Sequence, residues 1–516
     1  MPRPHGVIGL GAALNVRTML PVLGIIATLL LGGCQSIGQS LAPADAKAAQ
    51  ATPASPAPEG GKIASTADQT QKYSAKLQLT PAHAEVGHKI RVAGSGYEPG
   101  AVVDLVWYSA NGHYELDDRV EFVGQRFEET STVLATVKAD QAGNISTEVE
   151  VPLDFGGAHD LRGRVDGKEV SQASLTITPT FALSAREGPV GTPVELRITG
   201  VDWHTNVNTW HVLYDNNYLG FVSAVQTRGV AVARFRAAGP VGNHTISVWH
   251  NSFNPIPYLN WQQGPYKDVP SAEFTFKVTS DPQKASIQVE DFSARDNPWP
   301  TEQKGPGQMQ LSTDRGTVGQ ATTLEASNLP ASADVTLRWW TMVGNRVSAT
   351  GFTEESRTVA NLQTKADGSL QYEMTIPDDL GGQHRLELLA GDTVLASTGL
   401  VILPSVVSVS PTQARPGEKV AIHLKGVGWT TYDNTYAVTY DNSYIGYVCG
   451  FSTNGDVQFT VTASGSPGTH IIDLYPTIYK GKDQMPRVYS VPQLTYAQDH
   501  PQRTTPAIRL AIEVVK

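Results

Sequence analysis

Gly200 to Phe221 reads GVDWHTNVNTWHVLYDNNYLGF, and Gly426 to Tyr447 reads GVGWTTYDNTYAVTYDNSYIGY. At a constant offset of 226 residues the two stretches agree at 12 of 22 positions, among them Trp203/Trp429, Tyr214/Tyr440, Asp215/Asp441, Asn216/Asn442, Tyr218/Tyr444 and Gly220/Gly446. Self-similarity at a fixed spacing marks an internal duplication. In each copy an apolar-rich run leads to Asp-Asn followed by Asn or Ser, and then to a second run that alternates with period two. Two antiparallel strands joined by a tight turn have this pattern, because Asx side chains bond nearby backbone and tolerate positive φ. The reading is a β-hairpin in which Asp215, Asn216, Asp441 and Asn442 are structural turn residues, the carboxylates of Asp215 and Asp441 accepting local backbone N–H groups.

Outward from the hairpins, the 516-residue chain is too long for one core. Gly and Pro are plentiful, charged residues are 17%, and no folded stretch carries a sustained helical period, which is an all-β composition. The formal charge is −10 with no Lys/Arg cluster in the folded part, which argues against a nucleic-acid partner.

The landmarks recur four times. Each unit has a glycine-preceded strand near its start, a central hairpin, an Asp/Asn/Gly turn and a Gly-x-His entry into a late strand, at His159, His244, His384 and His470. These histidines read as strand-start packing residues. Gly455 to Leu474 (GDVQFTVTASGSPGTHIIDL) and Ala366 to Leu388 (ADGSLQYEMTIPDDLGGQHRLEL) resemble the immunoglobulin-like modules of bacterial surface proteins, including the IPT/TIG type. The resemblance implies tandem immunoglobulin-like β-sandwich domains over 73–178, 179–290, 309–403 and 404–516, with 291–308 as a Pro/Gly-rich linker. Two pairs that each fold alone, Tyr73 to Glu290 and Met309 to Lys516, are the expected consequence.

Arg3 and Arg17 precede an apolar stretch from Met19 to Leu31 that ends in Leu31-Gly32-Gly33-Cys34. It is short for a membrane span and suits a signal-peptide core. Leu-Gly-Gly-Cys resembles the lipobox of bacterial lipoproteins, which implies a signal peptide over 1–33, acyl chains on Cys34 and a membrane partner through that anchor. Gln35 after the cysteine implies delivery to the outer membrane, on its periplasmic or surface face. The Ala/Pro/Ser-rich stretch over 34–72 buries too little to order and reads as a disordered tether. The other cysteine, Cys449, stands where the first copy has Ser223 and reads as a small buried side chain.

The chain has no G-x-S-x-G, H-E-x-x-H, Walker loop or C-x-x-C, and no cofactor motif. The acidic doublets Asp117/Asp118, Glu128/Glu129, Glu354/Glu355 and Asp378/Asp379 read as solvated turns. His204, His211 and His250 do not make a duplicated metal site, because the second copy holds Thr430 and Ala437 at the first two positions. What remains are the long aromatic loops of the second and fourth units, with Trp249, Phe253, Tyr258, Trp261 and Tyr266 in one and Tyr475, Tyr479 and Tyr489 in the other. Exposed, these rings would bind a glycan or an envelope protein; buried, they would seal joints between units. The expectation is a non-enzymatic, lipid-anchored scaffold that binds an envelope partner, with a polysaccharide-binding or polysaccharide-processing accessory as the alternative.

Overall fold

The computed structural model describes residues 73–116, 122–204, 208–250, 272–281, 287–290, 304–345, 351–430, 434–477, 491–501 and 505–516. Its first unit lays down β1 (Lys76–Thr80), β2 (His83–Ala84), β3 (Lys89–Ser95), β4 (Val102–Leu116), β5 (Phe122–Lys138), β6 (Ile145–Glu150), β7 (Gly157–Val165) and β8 (Lys168–Ile177). They form a three-stranded sheet, β1-β3-β6, facing a five-stranded sheet, β2-β8-β7-β4-β5. The second unit repeats this with β9 (Thr180–Leu183), β10 (Glu187–Gly188), β11 (Pro193–Thr199), β12 (Thr209–Tyr214), β13 (Asn217–Ser223), β14 (Val230–Arg236), β15 (Gly242–His250) and β16 (Ala272–Val278), paired as β9-β11-β14 and β10-β16-β15-β12-β13.

A short strand, β17 (Gln288–Val289), precedes the third unit: β18 (Gln308–Leu311), β19 (Arg315–Thr317), β20 (Ala321–Ser327), β21 (Asp334–Asn345), β22 (Gly351–Gln363), β23 (Leu370–Thr375), β24 (Gly382–Ala390) and β25 (Thr393–Leu403). The fourth comprises β26 (Ser405–Ser410), β27 (Gln413–Ala414), β28 (Lys419–Lys425), β29 (Thr435–Tyr440), β30 (Ser443–Cys449), β31 (Val457–Thr462), β32 (Gly468–Pro476) and β33 (Ile508–Val514). Both keep the same order, β18-β20-β23 with β19-β25-β24-β21-β22, and β26-β28-β31 with β33-β32-β29-β30. In every unit the opening segment switches sheets and ends in a short parallel pairing with the last strand. These are tandem immunoglobulin-like β-sandwiches.

The burial pattern follows from what lies outside each sheet. In β11, Val194, Leu196 and Ile198 point inward and alternate with exposed residues, as expected of a sheet with one wet face. The central strands β12 and β29 are buried almost continuously, so their outer faces are covered too. Beside β29 the covering comes from the second unit, since Tyr475, paired with Ala437, lies in that unit's core. The first, third and fourth units each have their own cluster of buried residues. The core of the second unit, by contrast, also contains Ile471, Tyr475, Leu494, Tyr496, Ala497 and Ala507 of the fourth. The two pairs therefore pack through a common buried cluster, a contact that the expectation of separable pairs did not include. The strand β17, which directly follows the second unit in sequence, lies along β33 of the fourth.

Candidate functional site at the joints between domains

The duplicated hairpins carry their turns at Asp215 (φ 50°) and Asn216 (φ 63°), and at Asp441 (φ 46°) and Asn442 (φ 64°). Two consecutive left-handed residues define the primed turn that matches strand twist. The carboxylates are used differently from the sequence expectation of local bonds. Asp215 Oδ2 lies 2.5 Å from His244 Nδ1, and its Oδ1 accepts the Thr245 N–H at 2.9 Å. The second copy repeats this with Asp441, His470 and the Ile471 N–H at 2.5 and 3.0 Å. The other ring nitrogen of each histidine faces a carbonyl, Pro240 O at 2.7 Å and Ser466 O at 2.8 Å. Tyr214 and Tyr440 stack on these rings at 5.4 and 5.6 Å. The motif therefore ties the hairpin turn to the Gly-x-His strand, and the histidines are hydrogen-bonded members of a network as well as packing residues.

The first and third units solve the same corner with tryptophan. Trp107 stacks on His159 at 4.7 Å and Trp339 on His384 at 4.5 Å, while both nitrogens of each histidine face backbone carbonyls. The indole N–H groups donate to Asp154 and Asp379 at 2.8 and 2.9 Å. Asp379 is fully buried, which corrects the reading of the Asp378/Asp379 doublet as a solvated turn. Its carboxylate also accepts the Thr341 hydroxyl, the Leu380 N–H and the Arg357 guanidinium, and these partners offset the cost of burial.

Beside these corners sit the joints within each pair. The Gly156 N–H donates to Val201 O at 3.0 Å, and the Gly381 N–H to Val427 O at 2.9 Å. A Cβ on Gly156 would stand 1.9 Å from Gly200 O, and one on Gly381 1.8 Å from Gly426 O. Only glycine permits so close a backbone approach.

The joint between the pairs is built by residues 491–501, part of the long connection from β32 to β33. Phe221 N–H donates to Pro492 O at 2.9 Å, Leu494 N–H to Phe221 O at 2.8 Å, and Arg234 N–H to Leu494 O at 3.0 Å. A segment of the fourth unit, bridged to Phe221 at Gln493 and turning from Leu494 onward, thus enters between β13 and β14, the edges of the second unit's two sheets, and its Leu494 and Tyr496 complete that unit's core. Farther along, the buried Asp499 carboxylate accepts Tyr114 Oη at 3.0 Å, Ser223 Oγ at 2.6 Å, Val225 N–H at 3.0 Å and Gln226 N–H at 2.7 Å. Burial pushes this carboxyl above the ordinary aspartate range, against the pull of those donors. Tyr114 comes from the far end of the β4/β5 hairpin, so Asp499 fastens three domains together. The Gln493 side chain also donates to Ser223 Oγ and to Asp499 O.

On the other side of the joint Asp473 is fully buried between Arg236 of the second unit and Arg509 of the fourth. Arg509 also reaches Glu290 at 3.1 Å and lies over the Tyr475 ring at 4.7 Å. Two cations meet two anions in this cluster, which removes the net charge that burial would penalise. Asn442 Nδ2 donates to Arg236 O at 2.7 Å.

Of the aromatic residues singled out in the sequence, Tyr475 is wholly buried in this joint, so it is a packing residue and offers no face to a ligand. Trp249 is half-buried on β15 opposite His211. Phe253, Tyr258, Trp261, Tyr266, Tyr479, Tyr489 and the lipidation candidate Cys34 lie outside the described residues. His204 bonds Asp202 at 2.6 Å and His211 bonds Tyr218 Oη at 3.1 Å. Cys449 is exposed, contrary to the buried role expected for it, whereas its counterpart Ser223 is buried against residues 493–499. Sequence reasoning missed Tyr114, Arg236, Asp473, Gln493, Asp499 and Arg509. A signal was present in the duplication, since Arg236 faces Thr462 in the other copy, Asp473 faces Ser247, and Ser223 faces Cys449.

No family model and no curated protein matches the chain. Among solved structures it is similar to a mutant alpha-2-macroglobulin from Salmonella, at 10% identity and a TM-score of 0.18, over 84% of this chain and 30% of that one. A putative membrane anchored protein from Corynebacterium diphtheriae matches at 11% identity and a TM-score of 0.17, over 64% and 91% of the two chains. The N-terminal eight Ig domains of Down Syndrome Cell Adhesion Molecule match at 12% identity and a TM-score of 0.13, over 79% and 48%. The chain spans about a third of the macroglobulin's length.

Proposed function

We propose that the chain is a non-enzymatic lipoprotein of IPT/TIG-type modules, anchored through Cys34 in the outer membrane, whose four domains act as one rigid spacer and partner-binding scaffold. The observation that carries this reading is the core shared between the second and fourth units. A scaffold must hold its surfaces at fixed separations, and a segment inserted into a distant domain removes the hinge that ordinary tandem sandwiches keep. The lipobox at Leu31 to Cys34 supports the anchor, and the burial of Tyr475 favours joint sealing over glycan stacking.

Metabolic labelling with a fatty acid in a Gram-negative host should mark the wild type in the outer-membrane fraction and leave Cys34→Ala unlabelled; equal labelling overturns the anchor. For the scaffold, spin labels at the exposed Ser146 and Thr460, in a Cys449→Ser background, should give one narrow distance distribution. A broad distribution overturns rigidity.

A further inference from the structure

The duplication provides its own control for a binding surface. In the first copy, the edge of β13 is occupied by residues 492–494, and Leu219, Phe221 and Ser223 are 0%, 3% and 2% exposed. Their counterparts on β30 are Ile445, Tyr447 and Cys449. Ile445 is 53% exposed, Tyr447 50%, and Cys449 is exposed as well. A Cβ placed on Gly220 would meet Pro492 O at 2.5 Å, whereas one placed on the matching Gly446 would meet nothing within 4 Å. Among the described residues β30 ends its sheet, and no backbone hydrogen bond from outside the hairpin reaches Tyr447, whereas Phe221 makes two with Pro492 and Leu494. An edge with alternate apolar residues and neither Lys nor Pro is the kind that pairs with another strand.

We propose that β30 is a docking edge for an extended segment of a protein partner, taken up by β-augmentation as the first copy takes up residues 492–494 of this chain. The occupant's chemistry follows from that precedent. It is a stretch of backbone that exchanges N–H and C=O groups with Tyr447, with apolar side chains toward Ile445 and Tyr447. Toward the exposed Gln458 and Thr460 of β31 it presents polar ones. The edge is continuous with the joint already described, since Asn442 in the turn of the same hairpin bonds Arg236. This inference deepens the scaffold reading by giving the partner a site, and it does not depend on the lipid anchor.

The probe is a fluorescent peptide with the sequence of residues 491–501, VPQLTYAQDHP, added to the full chain. The chain's own segment holds the first-copy groove at high effective concentration, so the free peptide finds the β30 edge. Saturable binding is expected, with an affinity about tenfold weaker in Ile445→Lys and in Tyr447→Lys and unchanged melting of both variants. No saturable binding overturns the proposal, as does binding that both variants leave unchanged or that a scrambled peptide reproduces. Self-association of the wild type broken by Tyr447→Lys would assign the edge to a second copy and equally overturn it. None of these outcomes touches the labelling at Cys34, so the two readings fail separately.

Discussion

The joint within each pair and the joint between the pairs obey different rules. Within a pair the two copies repeat the same contacts, with the equivalent glycine donating to the equivalent carbonyl at 3.0 and 2.9 Å and the same backbone contact excluding any side chain. Between pairs the copies part company, because equivalent strands meet unequal surroundings: Leu219 and Phe221 on β13 are buried beneath residues 492–494, while their counterparts Ile445 and Tyr447 on β30 are exposed. Where one copy touches the other, duplicated positions are no longer equivalent. Ser223, which bonds Asp499, and the exposed Cys449 occupy the same place in the repeat.

The strongest way to break the within-pair rule is Gly381→Val. Its Cβ would overlap the Gly426 carbonyl, so one of the two backbones must shift, and we expect a loss above about 3 kcal/mol in chemical denaturation. Gly156→Val should lose as much, and a variant that keeps wild-type stability would show that the joint yields.

A smaller effect tests the rule between pairs. Leu494→Ala removes a fully buried side chain from the second unit's core and should cost about 2–5 kcal/mol. The loss should appear as faster hydrogen exchange in β13 and β14, although the substitution lies in the fourth unit. Exchange altered only around residues 491–501 would mean that the shared core contributes little.

The smallest effect separates the two kinds of histidine corner. Burial alone would lower His470, but the hydrogen bond and charge of Asp441 outweigh it and hold the ring above its ordinary value. Its stabilisation is then complete below the unfolded value, about 6.5, and is lost as pH rises through the folded one. Burial dominates at His384 and lowers it, against the smaller raising influence of Asp379 and two carbonyls. The neutral ring's contribution is present above about 6.5 and is lost as pH falls through the depressed value. The melting temperature should therefore fall off on both sides of neutrality. His470→Gln should remove the alkaline decline and His384→Gln the acidic one, and the same profile for both variants would show that the corners are electrostatically alike.

The sandwich architecture was legible because its determinants are local. Alternation in β11 and β28 and the Asp-Asn turns act over a few residues. The destination of the Asp215 carboxylate was less legible, since its partner His244 is 29 residues away and is identified only once the two strands are neighbours. The joint between pairs was not legible from pattern at all. Pro492, Gln493 and Leu494 show no strand alternation, and the edges that receive them are defined only after a different domain has folded. Aromatic composition drew attention to Tyr475, but composition does not tell a ring that faces solvent from one under an arginine, as Tyr475 lies under Arg509.

The bond from Gln226 to Asp499 joins positions 273 residues apart in the chain. A polypeptide made from its N-terminus has synthesised the whole second sandwich long before Leu494 and Asp499 exist, so that sandwich waits with an unfilled cleft and unpaired strand edges. Contacts of such sequence separation form late, and their absence leaves the early domain open to proteases and to pairing with other chains. A chain that stops before residue 491 therefore exposes its defect in a domain completed hundreds of residues earlier, and only a molecule translated through its last sandwich closes the first pair.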